Sequence, residues 1–183
     1  MYKEAVDLDC CFAKALEKPN PNELSFLSKK TINAYRNAID TNDNARDAII
    51  NLAFIEWLCT DPSTCGYLNL TVDELAHLEK DSLGLLEHAI VRFPDDPEPP
   101  FWKRFFRYFS YGESFPENEA IRLLHSYKEG VLPFILMLGL LDIIKYGKFG
   151  KDLLPTLLKE KTAKNCYIAN YYYLYQIRGG GVE

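Results

Sequence analysis

Apolar residues return every three or four positions along nearly the whole 183-residue chain, and strand-like alternation is almost absent, so helices are the only regular elements the pattern predicts. The first runs from about Tyr2 to Glu17, with Ala5, Leu8, Phe12, Ala15 and Leu16 on one face, and Pro19 stops it. Asn20, Pro21 and Glu23 then supply a capping Asn, a proline at the first helical position and an acid three residues after the cap. That start predicts a helix to about Asp40, carrying Leu24, Leu27, Ile32, Tyr35 and Ile39. The next, Asn44 to Cys59, is apolar nearly all round through Ile49, Ile50, Leu52, Phe54, Ile55, Trp57 and Leu58, which predicts a central position with neighbours on several sides. Asp61 to Tyr67 reads as a loop. Thr71 and Glu74 form a capping box, with Leu70 and Leu75 placed to staple across it, and open a helix to about Arg92 through Leu75, Leu78, Leu85, Leu86 and Ala89. Gly84 in its middle costs about 1 kcal/mol against alanine and marks a break or a close helix crossing.

Past the FPDDPEPP loop come a short aromatic helix from about Pro100 to Tyr108 and, after a second start at Ser114 and Glu117, a helix to about Tyr127 that ends at Gly130. An apolar helix from Leu132 to Tyr146, a short one from Asp152 to Lys161 and a last one from Ala163 to Arg178 bring the expected number to about nine. Arg178 followed by three glycines is a helix stop, with 178–183 a frayed tail. No long linker or composition break divides the chain. The expectation is one all-α domain over 1–183, its helices in antiparallel pairs, packed as an irregular helical repeat or an α-α superhelix-like array.

The stretch Ala89 to Pro99 (AIVRFPDDPEP), followed by an aromatic helix and then Tyr111 to Glu113 (YGE), resembles the junction between tetratricopeptide repeats, in which a helix ends in Ala and a Pro-x-x-Pro turn opens the next pair. The resemblance covers residues 86–127, one degenerate unit, with Arg104, Phe105 and Phe106 where the family carries small residues. It implies a scaffold that binds peptides or proteins and performs no catalysis.

Charge changes the picture more than overall composition does. The net charge of −5 hides an acidic front, because residues 1–98 carry 9 Lys and Arg against 18 Asp and Glu, while residues 99–183 carry 12 against 8. Such a front suits a basic partner and disfavours nucleic acid. Five cysteines (Cys10, Cys11, Cys59, Cys65, Cys166) form no CxxC pair and leave an odd one over, which argues for reduced thiols and against a disulfide framework or zinc site. The acidic start, MYKEAVDLDC, carries no export signal, so a cytoplasmic location is expected. The most apolar window, Val131 to Ile144, is shorter than the roughly 20 residues a bilayer requires and holds Pro133 and Asp142, so a buried helix and no membrane association are expected.

Candidate chemistry is sparse. Only three histidines occur, and Glu74 with His77 makes a single ExxH, with Asp81 and His88 near the same face; a di-iron bundle needs a second ExxH helix, which the chain lacks. No nucleophile elbow, Cys–His signature or phosphate-cradling loop appears, so no catalytic, cofactor-binding or metal-binding residue is assigned. Phe101 to Phe109 interleaves aromatics with Lys103, Arg104 and Arg107; helical spacing puts the three basic residues on one face and turns Phe101, Phe105, Tyr108 and Phe109 towards a core. Asp142, alone in its apolar stretch, reads as solvated or paired with Lys145. The last helix is ringed by Tyr167, Tyr171, Tyr172, Tyr173 and Tyr175, a composition suited either to an interface, including a homo-oligomer contact, or to a core helix with hydroxyls at its rim.

These readings converge on a non-enzymatic helical protein–protein interaction module or adaptor whose partner-binding candidates are Tyr167, Tyr171, Tyr172, Tyr175, Lys103, Arg104 and Arg107. Two alternatives stand beside it. One is an acidic antitoxin or immunity-type protein that neutralises a basic partner. The other is an all-α enzyme or metal-binding protein using Glu74, His77 and His88.

Overall fold

A computed structural model describes residues 1–116, 118–119, 122 and 154–178, the last four without their side chains. Its helices are α1 (Tyr2–Leu16), α2 (Pro21–Asp40), α3 (Ala45–Thr60), α4 (Pro62–Cys65), α5 (Val72–Arg92), α6 (Glu98–Tyr111) and α7 (Ala163–Arg178), with a further helical turn at 154–157. No strand occurs among the described residues, so the chain is all-α. Among the described residues, no helix is long and apolar enough to cross a membrane. Of the helix expected at 114–127 only 114–116, 118–119 and 122 are described, and His125, the helix expected at 132–146 with Asp142 and Lys145, and the tail from 179 lie outside the described residues.

The local signals act as their chemistry dictates. The Asn20 side chain accepts hydrogen bonds from the Asn22 and Glu23 backbone N–H groups at 3.1 and 3.2 Å, opening α2 with Pro21 in the first turn. Thr71 and Glu74 close the capping box of α5, Thr71 Oγ1 accepting from Glu74 N at 3.2 Å and Glu74 Oε2 from Thr71 N at 2.7 Å. Two boundaries differ from expectation. The Asp61–Tyr67 loop contains the one-turn helix α4, because Asp61 caps Ser63 N at 2.8 Å and Pro62 supplies the preset φ of a first helical position. The aromatic helix α6 is longer at both ends, since prolines are tolerated in its first turn and Gly112, in the left-handed region at φ 66°, ends it.

From α1 to α6 the successive long helices run antiparallel, and side-chain contacts mark their register. Tyr35 on α2 pairs with Asp9 on α1 and Asn51 on α3, while Lys103 and Tyr111 on α6 reach Glu87 and Glu79 on α5. The centre is α3, buried without interruption from Ala48 to Cys59, as its all-round apolarity requires. Around it Phe54, Trp57, Trp102, Phe105, Phe106 and Tyr167 form an aromatic core, with Trp57 stacked on Phe106 at 4.6 Å and edge-on to Tyr167 at 5.6 Å. The N-terminus of α7 enters this core between α1 and α3. In contrast to α3, α5 buries only Ser82, Leu86 and Ala89, and Leu75, Leu78 and Leu85 of its expected apolar stripe stay half-exposed. The helix is continuous through Gly84, and a Cβ built there would meet no heavy atom within 4 Å, so neither the break nor the close crossing exists.

Candidate functional site

Because α2 and α5 each pack on α3, a groove runs between them with α3 as its floor, divided by Arg36 into two basins. One, of about 580 Å³, lies between Ser28, Ile32 and Asn33 of α2 and Asp73, Glu74, His77 and Leu78 of α5, with Cys59 beneath and Leu70 at one end. The other, of about 400 Å³, lies between Ile39 and Asp40 of α2 and Lys80, Asp81, Gly84, Leu85 and His88 of α5, with Leu52 and Glu56 beneath. The apolar walls are the half-buried leucines that the packing of α5 leaves uncovered.

Glu56 is the only charged residue between Ala48 and Thr60, and its side chain is 0 % exposed. Arg36 Nη2 donates to its Oε1 at 2.7 Å and lies 3.5 Å from Asp81 Oδ2, while His77 Nε2 is 3.2 Å from the same Asp81 oxygen. Glu56 Oε2 has no hydrogen-bond partner among the described residues. Burial pushes the Glu56 carboxyl up to about 7, with Asp81 adding to the rise and Arg36 opposing it. Burial also raises the Cys59 thiol on the groove floor, so it is no activated nucleophile.

The residues of the metal alternative divide over the groove instead of converging. Glu74 spends its carboxylate on the capping box, whose hydrogen bonds pull its pKa below the usual range; His77 shares its basin, and His88 lies in the other. No three His, Cys, Asp or Glu side chains gather as a metal site among the described residues.

The partner-binding candidates fall elsewhere. Lys103 pairs with Glu87 at 2.8 Å, and Arg107 with Glu113 at 3.0 Å. Arg104 binds Glu119 at 3.0 Å, Glu113 at 3.1 Å and the Ser114 carbonyl, and lies over the Phe115 ring. The basic face of α6 is thus matched by this chain's own acids, while Phe101, Trp102, Phe105 and Phe106 turn into the core and Phe109 remains 42 % exposed. On α7, Tyr172 is buried and Tyr167 and Tyr171 are half-buried beside each other at 4.7 Å. Tyr173 and Leu174 are the exposed members, and the Tyr175 side chain lies outside the described residues.

Sequence reasoning passed over Glu56, Arg36 and Asp40. The available signal was Glu56 itself, a lone acid in an otherwise apolar helix, a position charged residues seldom occupy unless paired. No protein-family model, curated protein or solved structure matches the chain.

Proposed function

We propose that the protein is a non-enzymatic interaction module that takes a basic, partly apolar segment of another protein into the groove between α2 and α5. One observation carries the reading. The groove combines half-buried apolar side chains (Ile39, Leu70, Leu78, Leu85) with five carboxylates, Asp40, Glu56, Asp73, Glu74 and Asp81, against three fixed cations, Lys29, Arg36 and Lys80. Apolar anchors flanked by a complementary field are what a groove-bound segment uses for affinity and register. The acidic front half of the sequence extends the same field beyond the groove. An antitoxin-like role would use this surface too, the neutralised partner being the basic protein held there.

The test is selection of displayed random peptides on the immobilised full chain. The expected peptides carry Lys or Arg beside apolar anchors, bind more weakly as salt rises, and lose binding to Leu78→Arg. Peptides that bind Leu78→Arg as well as the parent protein, or that ignore salt, overturn the reading.

A further inference from the structure

Glycine is unfavourable inside a helix, yet Gly84 sits in the middle of the 21-residue α5. Its φ is not positive, and an added Cβ would enter open space, so neither backbone geometry nor packing requires glycine there. Gly84 does line the basin that holds Glu56, and a side chain at 84 would occupy it. Glu56 lines the same basin, and its buried Oε2 accepts from no donor among the described residues. Buried polar atoms are normally satisfied, and an exception calls for a missing partner. Two independent departures from ordinary stability rules therefore meet at one place.

The lining selects the missing donor. Asp40, Glu56 and Asp81 outnumber Arg36 and Lys80, which disfavours an anion. A second guanidinium would lie against Arg36, already bound to Glu56 Oε1 at 2.7 Å. A compact ammonium has three donors and needs no planar fork, and its methylene stem matches the apolar surface of Ile39, Leu52 and Leu85. We propose that this basin binds a lysine side chain of the partner segment, with Glu56 as its anchor and Gly84 as the residue that keeps the basin open. The proposal rests on the groove reading above and names the residue type the groove recognises.

The test titrates N-acetyl-lysine methylamide into the isotope-labelled full chain at millimolar concentration and follows backbone amide shifts. Saturable shifts at Gly84, Leu85 and His88 are expected, with none from the norleucine analogue, which has the stem without the charge. Glu56→Gln and Gly84→Met should each weaken binding at least tenfold. Gly84→Met should also raise Tm, so its loss of binding is not a loss of fold. Equal shifts from lysine and norleucine, or undiminished binding by Gly84→Met, overturn the proposal. Selected peptides that occupy the groove yet tolerate Lys→Gln at every position leave the groove reading standing and overturn this one. Lysine binding without any groove-dependent peptide does the reverse.

Discussion

Asp9 Oδ1 accepts a hydrogen bond from the backbone N–H of Ala163 at 2.7 Å, so a carboxylate from the first helix closes the N-terminus of the last. The other oxygen of Asp9 accepts from the Tyr35 hydroxyl at 2.8 Å, and Asn51 Nδ2 donates to that hydroxyl at 3.2 Å, tying α1, α2, α3 and α7 together through one fully buried group. Removing it strands two buried donors. Asp9→Leu should cost about 2–6 kcal/mol, at about 1–3 kcal/mol for each donor left without an acceptor. Asp9→Asn, which retains an acceptor for Ala163, should cost clearly less. Denaturant melts measure the difference, and hydrogen exchange should show the first turn of α7 losing protection first in Asp9→Leu. Equal melts for the two variants would show that the contact contributes nothing specific.

Two buried acids give stability a pH dependence of unusual sign. Burial holds Asp9 up at about 7 from an ordinary 3.8, and Glu56 up at about 7 from 4.5. Asp9 is faced by Tyr35, Ala163 N and Lys164; Glu56 is faced by Arg36 and Asp81, with Asp40, Lys80 and His88 lining the same basin. The native state therefore binds more protons than the unfolded chain between about pH 4 and 7, and stability falls as pH rises through that window. Glu98 has the opposite sign. Lys164 and Arg46 outweigh burial and hold it at about 2, so its contribution is present above 4.5 and lost only as pH falls towards 2. Maximum stability is expected near pH 4–5. Asp9→Asn with Glu56→Gln should flatten the decline towards pH 7, and an unchanged slope in that double variant refutes the assignment.

Glu98 gathers three donors: Arg46 at 2.6 Å, Lys164 at 2.9 Å and the Trp102 indole N–H at 3.0 Å. Lys164 is only 7 % exposed, so Glu98→Ala leaves a buried ammonium without its counter-ion. The expected cost is about 3–5 kcal/mol. Lys164→Met alone still leaves Glu98 paired with Arg46, and should cost less. Glu98→Leu with Lys164→Met removes both charges, and its cost should fall well below the sum of the single variants, which a double-mutant cycle by chemical denaturation reads directly.

How far the sequence reaches is clearest on α3 and α5. All-round apolarity places α3 at the centre without knowledge of its neighbours, because no other environment suits twelve consecutive buried positions. The stripe of α5 is different. Periodicity puts Leu75, Leu78, Leu85 and Leu86 on nearby faces, but which of them α3 covers depends on how α2 flanks the same helix, a relation between distant segments. The groove follows from that relation and was not legible. Gly84 was visible as an anomaly, but its setting beside Glu56 needed the register of α3 against α5. Asp9 likewise falls among Ala5 and Phe12 at helical spacing, and only the arrival of Ala163 supplies the donor that makes burial of a carboxylate tolerable.

The cap that opens α5 and the glycine inside it should act on stability with opposite signs. Thr71→Ala removes the side-chain acceptor of the capping box and should cost about 1 kcal/mol, a loss of roughly 2–4 °C in Tm for a chain of this size. Gly84→Ala meets no steric obstacle and should gain about as much, through helix propensity and the smaller entropy of the unfolded chain. The sites are thirteen residues apart, roughly 20 Å along a helix rising 1.5 Å per residue, and share no partner. Their effects should therefore add, and the double variant should melt close to the parent protein. A Gly84→Ala variant that melts lower would show that the glycine serves packing after all. One that melts higher leaves the open basin as the reason α5 tolerates a residue that weakens it.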